Sequence, residues 1–414
     1  MGNCNISIVM NGIKKCSGSC LYCSAASTMD YRGKGNKNTF VFNPEKLKAK
    51  ILEFNQGQLE EGKKSDGTSL NIDIWGGNPL ENFDEFKQVV DFCEKNLTEF
   101  KFVSMHTSGN GLELRDNDIV DFLCNHKINY QLSHDGLGQW LRTGEIDPLT
   151  WEKTHDNIIR LVREGRLDWI NCTLSSRNPS FFANIEFWNK WRKENDIEDA
   201  KITIKLNHIY DGTPPIEKKW LYKDNEQIKH GEVIGDLNFH GEVLQEYLHE
   251  FRKLAYILMT PGMENDKKWF PYVGYITEQA GRFRMIQNAR EAGSCVAFQR
   301  GDTDKNFAID TSGEYCQCNL IDSSSKVKNP GAKKPDYCKG CKYDKLAECN
   351  PCGSECFPEK CEFHWWWAKT LEETFQVREL SNALRQNNNN HVCNCNQPKQ
   401  RNNEPVYCIK NYTL

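Results

Sequence analysis

The sequence predicts an α/β protein built on a parallel sheet, and three observations carry that prediction. Six short apolar runs lie between residues 5 and 206, with stretches of helical periodicity between them. That alternation is the pattern of parallel strands joined by right-handed crossovers. Several of the runs end in glycine-containing turns, where a chain leaves a strand. The third observation is the placement of the nineteen cysteines among 414 residues: three follow the first strand directly, and nine crowd between Cys295 and Cys361.

Taken in order, residues 5–10 form the first strand and residues 24–44 an irregular loop. Pro44-Glu45 opens a helix with Leu47, Ile51 and Phe54 on one face. Residues 71–75 make a second strand ending in Gly76-Gly77-Asn78-Pro79, and Phe83, Phe86, Val89, Val90 and Phe92 mark the next helix. Residues 102–107 make a third strand, and Ile119, Phe122 and Leu123 the helix after it. Residues 130–133 make the fourth, ending in His134-Asp135-Gly136, with a helix from Trp151 to Val162. Residues 169–174 and 202–206 are strands five and six, with a helix from Phe181 to Trp191 between them. No Gly-rich dinucleotide fingerprint follows the first strand, so a nucleotide-binding doubly wound sheet is disfavoured. Pro214-Pro215 is a breaker that closes the repeating unit. Val243, Leu244, Tyr247, Leu248, Phe251, Leu254 and Ile257 give a core-facing helix, and Gly274 to Ala292 a second. Trp269, Phe270 and Tyr272 read as packing aromatics rather than a cleft lining.

Apolar residues are 38% of the chain and the net charge is −4, so composition shows no nucleic-acid footprint. The apolar runs fall far short of the ~20 residues of a membrane span. The N-terminus does not read as a signal peptide, which makes a reducing cytoplasm the expected compartment. Crowded cysteines there argue for metal or clusters rather than disulfides. Cys93, Cys124 and Cys172 sit in periodic segments and read as small core thiols, and Cys4 carries no assignment. His106 lies within a strand and reads as structural; His134, next to Ser133, points to the opposite face.

The chain is organised around Lys15-Cys16-Ser17-Gly18-Ser19-Cys20-Leu21-Tyr22-Cys23. Cysteine thiolates are the usual ligands of iron–sulfur clusters, and three in one short loop can hold three corners of a four-iron cluster. The fourth iron stays open for a ligand that is not protein. A zinc site more often shows paired C-x2-C knuckles, and a disulfide framework an even set. The C-x3-C-x2-C spacing, with Tyr22 before the last cysteine, resembles the signature of the radical S-adenosylmethionine (radical SAM) superfamily. The resemblance implies a partial (β/α)6 barrel whose chemistry gathers at the C-terminal strand ends. It also implies a [4Fe-4S] cluster on Cys16, Cys20 and Cys23 whose open iron is chelated by S-adenosylmethionine. One electron then cleaves a C–S bond, and a 5′-deoxyadenosyl radical takes hydrogen from a substrate.

Two further turns carry the resemblance. Gly76-Gly77-Asn78-Pro79 is similar to the Gly-Gly-Glu-Pro turn of that superfamily, which receives the amino group of S-adenosylmethionine; here Asn78 stands where the acid is usual. Leu132-Ser133-His134-Asp135-Gly136, followed by Arg142, resembles the Ser-x-Asp-Gly segment of its peptide-modifying members. There a serine hydroxyl and an arginine hold the carboxylate, which casts Ser133 and Arg142 in those roles. The cofactor-binding set implied is Tyr22, Gly76, Gly77, Asn78, Pro79, Ser133 and Arg142. A solvated loop charge is the competing reading of Arg142.

The cysteine-rich segment holds Cys295, Cys316, Cys318, Cys338, Cys341, Cys349, Cys352, Cys356 and Cys361, with a hairpin and a Ser-Gly turn over residues 307–316. Two C-x2-C pairs, Cys338/Cys341 and Cys349/Cys352, are by themselves a good zinc pattern. The order of Gly313, Cys318 and the following knuckle is similar to the SPASM domain, an extension of radical SAM enzymes that holds up to two auxiliary clusters. That likeness implies one or two auxiliary [4Fe-4S] clusters, with Cys295, Cys316 or Cys318, and Cys352 or Cys356 on the nearer and Cys338, Cys341, Cys349 and Cys361 on the farther. Asn319 stands where sulfatase-maturating members have a catalytic aspartate and is no useful proton acceptor at neutral pH, so that activity is disfavoured. No catalytic residue is identified.

The expected organisation is a radical SAM partial barrel over residues 1–215, a connecting helical segment over 216–292, a SPASM-like domain over 293–375 that closes in a tryptophan-rich helix, and a disordered polar tail over 376–414 with Cys393, Cys395 and Cys408. The expected activity is that of a peptide- or protein-modifying oxidoreductase fed by a flavodoxin- or ferredoxin-type electron donor. No recognition domain precedes the first strand, so a leader-binding module would be a separate protein. The alternatives are a radical SAM enzyme acting on a nucleoside or small metabolite, and a non-catalytic zinc- or cluster-stapled binding protein.

Overall fold

The computed structural model describes residues 2–12, 16, 17, 20, 22, 40–60, 65–143, 146–208, 237, 239–288, 308–316, 366, 367 and 369–376. Cys23, Cys295, Cys318, Cys338, Cys341, Cys349, Cys352, Cys356 and Cys361 lie outside the described residues, as do Pro214-Pro215 and residues 377–414 with their three cysteines.

The strands are β1 (Gly2–Val9), β2 (Ser65–Trp75), β3 (Phe102–Gly109), β4 (Asn129–Ser133), β5 (Leu167–Leu174), β6 (Thr203–His208) and β7 (Ala308–Asp310). The helices are α1 (Pro44–Glu60), α2 (Phe83–Asn96), α3 (Asn117–Asn125), the single turn α4 (Trp140–Thr143), α5 (Glu152–Arg163), α6 (Phe181–Glu194), α7 (Gly241–Leu258) and α8 (Phe270–Asn288). The sheet runs β6-β5-β4-β3-β2-β1-β7, with every pair parallel. The first six strands therefore stand side by side in chain order, as successive crossovers of one hand require. The described strands leave β6 and β7 as the two edges.

Every strand expected between residues 5 and 206 forms, and most are longer than their apolar runs. β2 starts six residues before the expected Asn71, because Ser65 and Leu70 pair with Gly2 and Cys4 of β1, and Ser69 and Leu70 with Phe102 and Val103 of β3. Backbone pairing, not hydrophobicity, sets that boundary. The larger difference is the seventh strand. The hairpin over 307–316 does form, with Gly313 at φ 82° and a bridge from Ile309 to Tyr315. Its first arm, β7, also adds to the free edge of β1, with Ile8 opposite Ile309. The start of the cysteine-rich segment is thus part of the barrel sheet.

The core sits between the outward face of the strands and the helices. Ile6, Ile8, Ile72, Ile74, Leu132, Ile170 and Leu206 point there and are buried against Phe86 and Val90 of α2, Leu123 of α3, Leu161 of α5 and Trp188 of α6. Tyr272, read as a packing aromatic, is fully buried, and its hydroxyl donates to the Ile185 carbonyl at 3.2 Å. Trp367 packs 4.5 Å from Phe251 and 4.9 Å from His208, so the tryptophan-rich segment docks on α7 and the end of β6. Cys93 and Cys172 are buried thiols as expected, whereas Cys124 is only half-buried, at the margin of the core. Cys4 is buried too, and its thiol is pushed up to about 11.

Candidate active site at the C-terminal ends of the strands

The cysteine loop leaves β1 at the top of the sheet, where the Met10 amide donates to the Trp75 carbonyl at 2.8 Å. Cys16 is exposed there and Cys20 half-buried. The loop is tied down at two points. The Ser17 amide donates to both oxygens of Glu81, at 2.8 and 2.9 Å, and its hydroxyl donates to Glu81 Oε1 at 2.5 Å. At the other point Tyr22 is buried, and its hydroxyl donates to Asp135 Oδ2.

The turn after β2 is built by two glycines at positive φ, Gly76 at 134° and Gly77 at 57°. A Cβ on Gly76 would stand 3.0 Å from the Met10 side chain, so glycine is needed both for its backbone angles and for the approach of β1. Asn78 follows and is 2% exposed. Its Nδ2 donates to Glu113 Oε2 at 2.8 Å and to Glu81 Oε1 at 3.1 Å. Its Oδ1 is buried with no hydrogen-bond partner among the described residues. Pro79 starts the 3-10 turn Pro79–Asn82, whose fixed φ suits that position. Glu113 belongs to the 3-10 turn Leu112–Arg115 after β3. Burial pushes its carboxyl above the usual carboxylate range, partly offset by a hydrogen bond from the Tyr130 hydroxyl at 2.5 Å.

After β4, Ser133 is half-buried, whereas His134 is fully buried against Phe187 and Trp188 of α6, on the helix side of the sheet. His134 Nδ1 accepts from the Gly136 amide at 3.0 Å, which leaves the proton on Nε2 to donate to Asp147 at 2.9 Å. Burial holds that imidazole below its ordinary value of 6.5. Arg142 is no solvated loop charge: it sits in α4 and is 9% exposed. Its Nη2 donates to Asp135 Oδ1 at 2.8 Å, its Nη1 lies 3.6 Å from Cys20 Sγ, and its guanidinium is 5.6 Å from the Tyr22 ring centre. Burial alone would lower the Arg142 pKa, but Asp135 and Cys20 beside it hold it above its ordinary value. A fixed positive charge against a cysteine favours the thiolate, the form that binds metal. Arg142 Nε is buried without a partner among the described residues.

Below these turns, the inner face of the sheet is polar. The strand registers put Asp73 opposite His106 and Asn171 opposite Lys205. A bulge between β4 and β5 inserts Asp168 between the residues facing Tyr130 and Gln131. Its carboxylate comes within 3.4 Å of His106 Nδ1, so this strand histidine lines the inner face and has an acidic neighbour. Lys205 lies 3.7 Å over the Trp169 ring and 3.0 Å from Glu278. These side chains are half-buried, a polar floor under the cysteine loop. A separate cavity of about 740 Å³ is lined by Phe182, Ile185, Arg192 and Trp269; it lies beside α6 and takes nothing from the strand ends.

The structure thus gathers Cys16, Cys20, Tyr22, the Gly76–Pro79 turn, Ser133 and Arg142 at one end of one sheet. Cys316 stands elsewhere, fully buried on the β7 hairpin against Val9 and Ala308. Sequence reasoning left out Glu81, Glu113 and Asp135, the carboxylates that hold the loop and the turn in place. Asp135 was visible as a motif letter, and Glu81 lies three residues past Asn78. Glu113 carried no sequence signal. Among the described residues no group of three or more His, Cys, Asp or Glu side chains is already placed to hold a metal ion, and no helix is long and apolar enough to cross a membrane.

No protein-family model matches the sequence, and no curated protein does. Solved structures do match the fold. "Native anSMEcpe with bound AdoMet" superposes with a TM-score of 0.54 at 16% identity, covering 92% of this chain and 99% of that one. "Native anSMEcpe with bound AdoMet and Cp18Cys peptide" gives 0.55 at 15% identity, again over 92% and 99%. "Native anSMEcpe with bound AdoMet and Kp18Cys peptide" gives 0.52 at 16%, over the same 92% and 99%. The partial barrel expected from the cysteine loop is therefore the fold of structures that carry AdoMet (S-adenosylmethionine).

Proposed function

We propose that the chain is a radical SAM enzyme that cleaves S-adenosylmethionine and abstracts hydrogen from a peptide or protein, as an oxidation, crosslink or epimerisation. The observation that supports it most is the buried Arg142, held beside Cys20 with its Nε still without a partner among the described residues. An amino acid carboxylate would satisfy that donor, and its ammonium group would satisfy the buried acceptor Asn78 Oδ1. Both atoms stand at the strand ends where the cysteines are.

The donor chemistry fits a [4Fe-4S] cluster. Cys16, Cys20 and Cys23 would hold it, and Arg142 beside Cys20 favours the thiolate there. When reduced, such a cluster supplies the electron that splits S-adenosylmethionine to a 5′-deoxyadenosyl radical. The chain's own residues do the rest. Glu81 and Asp135 hold the cysteine loop, Arg142 and Ser133 receive the carboxylate, and Tyr22 lies against the guanidinium. The half-buried inner face offers amide, hydroxyl and charged groups to a substrate side chain entering below. We take the cysteine-rich segment to hold one or two auxiliary clusters, the oxidant for a second electron, with reduction by a small flavodoxin- or ferredoxin-type donor in the cytoplasm.

The peptide reading draws on the fold shared with a structure that contains a Cp18Cys peptide. A nucleoside or small metabolite is the second reading. The test is anaerobic incubation of the reconstituted protein with S-adenosylmethionine and dithionite. 5′-Deoxyadenosine is expected from the wild type, and its loss together with about four irons in the Cys16→Ala/Cys20→Ala/Cys23→Ala variant. Undiminished cleavage by that variant overturns the assignment.

A further inference from the structure

Asn78 stands where the resembled turn has an acid, and the structure shows what holds the amide. We propose that Glu81 and Glu113 are positioning residues that lock the Asn78 side chain with its carbonyl oxygen presented to the ligand, so that Asn78 Oδ1 is the acceptor for a primary ammonium group. The inference rests on the proposed function and names how this chain would make that contact.

The orientation of an asparagine amide is ordinarily decided by its neighbours, and here Glu81, which accepts from the Ser17 amide on both oxygens, decides it. Asn78 Nδ2 faces two carboxylates, Glu113 at 2.8 Å and Glu81 at 3.1 Å. Each carboxylate is itself kept as an acceptor by a backbone amide, which cannot turn round. On one side the Ser17 amide donates to both oxygens of Glu81. On the other, the Gly111 amide donates to the Tyr130 hydroxyl at 3.1 Å, which directs the hydroxyl proton onto Glu113 Oε1 at 2.5 Å. Turning the amide would set Oδ1 against both carboxylates and remove a donor from each. Because Nδ2 and Oδ1 are two corners of one planar group, fixing the first fixes the second. Oδ1 is then a buried acceptor with no partner among the described residues, in a residue 2% exposed. An unsatisfied acceptor at that depth is costly unless a ligand fills it.

This has a consequence opposite to the one the sequence suggests. Restoring the acid with Asn78→Asp would bring a third carboxylate against Glu81 and Glu113 with no donor between them. The experiment measures binding by equilibrium dialysis under anaerobic conditions at pH 8, with the reconstituted holoenzyme. The probes are S-adenosylmethionine and its analogue bearing an α-hydroxyl in place of the α-ammonium. Wild type is expected to favour S-adenosylmethionine. Asn78→Asp should bind it about tenfold more weakly or worse, and Asn78→Asp/Glu113→Gln, whose new amide supplies a donor, should recover most of the loss. Glu113→Gln alone frees the Asn78 amide to turn and should reduce the preference for the ammonium over the hydroxyl. Iron content and melting temperature of each variant show whether it is folded and loaded, and the double variant carries the test if Asn78→Asp is not. Asn78→Asp binding as tightly as wild type, or a double variant no better than the single, overturns the proposal. Equal binding of the two probes by every variant overturns it too. Wild type that cleaves S-adenosylmethionine yet shows no preference sinks this inference alone; wild type that neither binds nor cleaves it sinks the proposed function as well.

Discussion

The cysteine loop is fastened at two points that look alike on paper and differ in surroundings. At one, Ser17 is exposed and gives its amide and hydroxyl to Glu81. At the other, Tyr22 is buried and gives its hydroxyl to Asp135, which also accepts from Arg142 Nη2 and from the Thr173 amide, both at 2.8 Å. Water competes for the first contact and is excluded from the second. The same kind of bond is therefore a light restraint near Cys16 and a structural commitment at Tyr22. The loop is held lightly at Ser17, near the cysteines that would take the proposed cluster, and firmly at Tyr22, beside Arg142.

Three substitutions would break or sharpen that contrast. The largest effect is expected from Asp135→Ala, which strips the Arg142 guanidinium of its counter-charge inside the protein. A buried pair broken on one side loses about 3–5 kcal/mol, read as the shift in urea unfolding of the apoprotein; a loss below about 1 kcal/mol would show that water reaches the pair. Next comes Tyr22→Phe, which keeps the ring against Arg142 but takes the hydroxyl donor from Asp135 Oδ2. One unsatisfied buried acceptor costs about 1–3 kcal/mol, and the same denaturation should show it. Smallest is Glu81→Ala, where water can replace the carboxylate at Ser17 and Asn78 Nδ2 keeps Glu113 as its partner. Unfolding should move by no more than about 1 kcal/mol, while the rate of iron uptake at the cysteine loop changes. A Glu81→Ala loss as large as that of Asp135→Ala would mean the two anchors are equivalent after all.

His106 shows what reading by residue type leaves out. A histidine inside a strand is most often packing, and nothing near it in the chain suggests otherwise. Its acidic neighbour Asp168 is sixty-two residues away, and reaches it because a bulge adds one residue to β5. Arg142 is a different case: seven residues past Asp135 it could be read as a ligand or as loop surface, and α4 folds it back onto its own motif.

The sequence by itself determined the alternation of strands and helices, the placement of the cysteine loop after β1, and the glycines of the turn after β2. Those features are local: apolar periodicity chooses the element, and glycine is required at φ 134° for Gly76 and favoured at φ 57° for Gly77. Tertiary structure decided the rest. β7 became a strand of the main sheet because β1 offered a free edge, and an edge is a property of the assembled sheet. Glu81, Glu113 and Asp135 became the supports of the site through contacts spanning 17 to 113 residues along the chain. No periodicity or motif foretells such a contact, because a carboxylate finds its donors only after the strands have brought their C-terminal ends together.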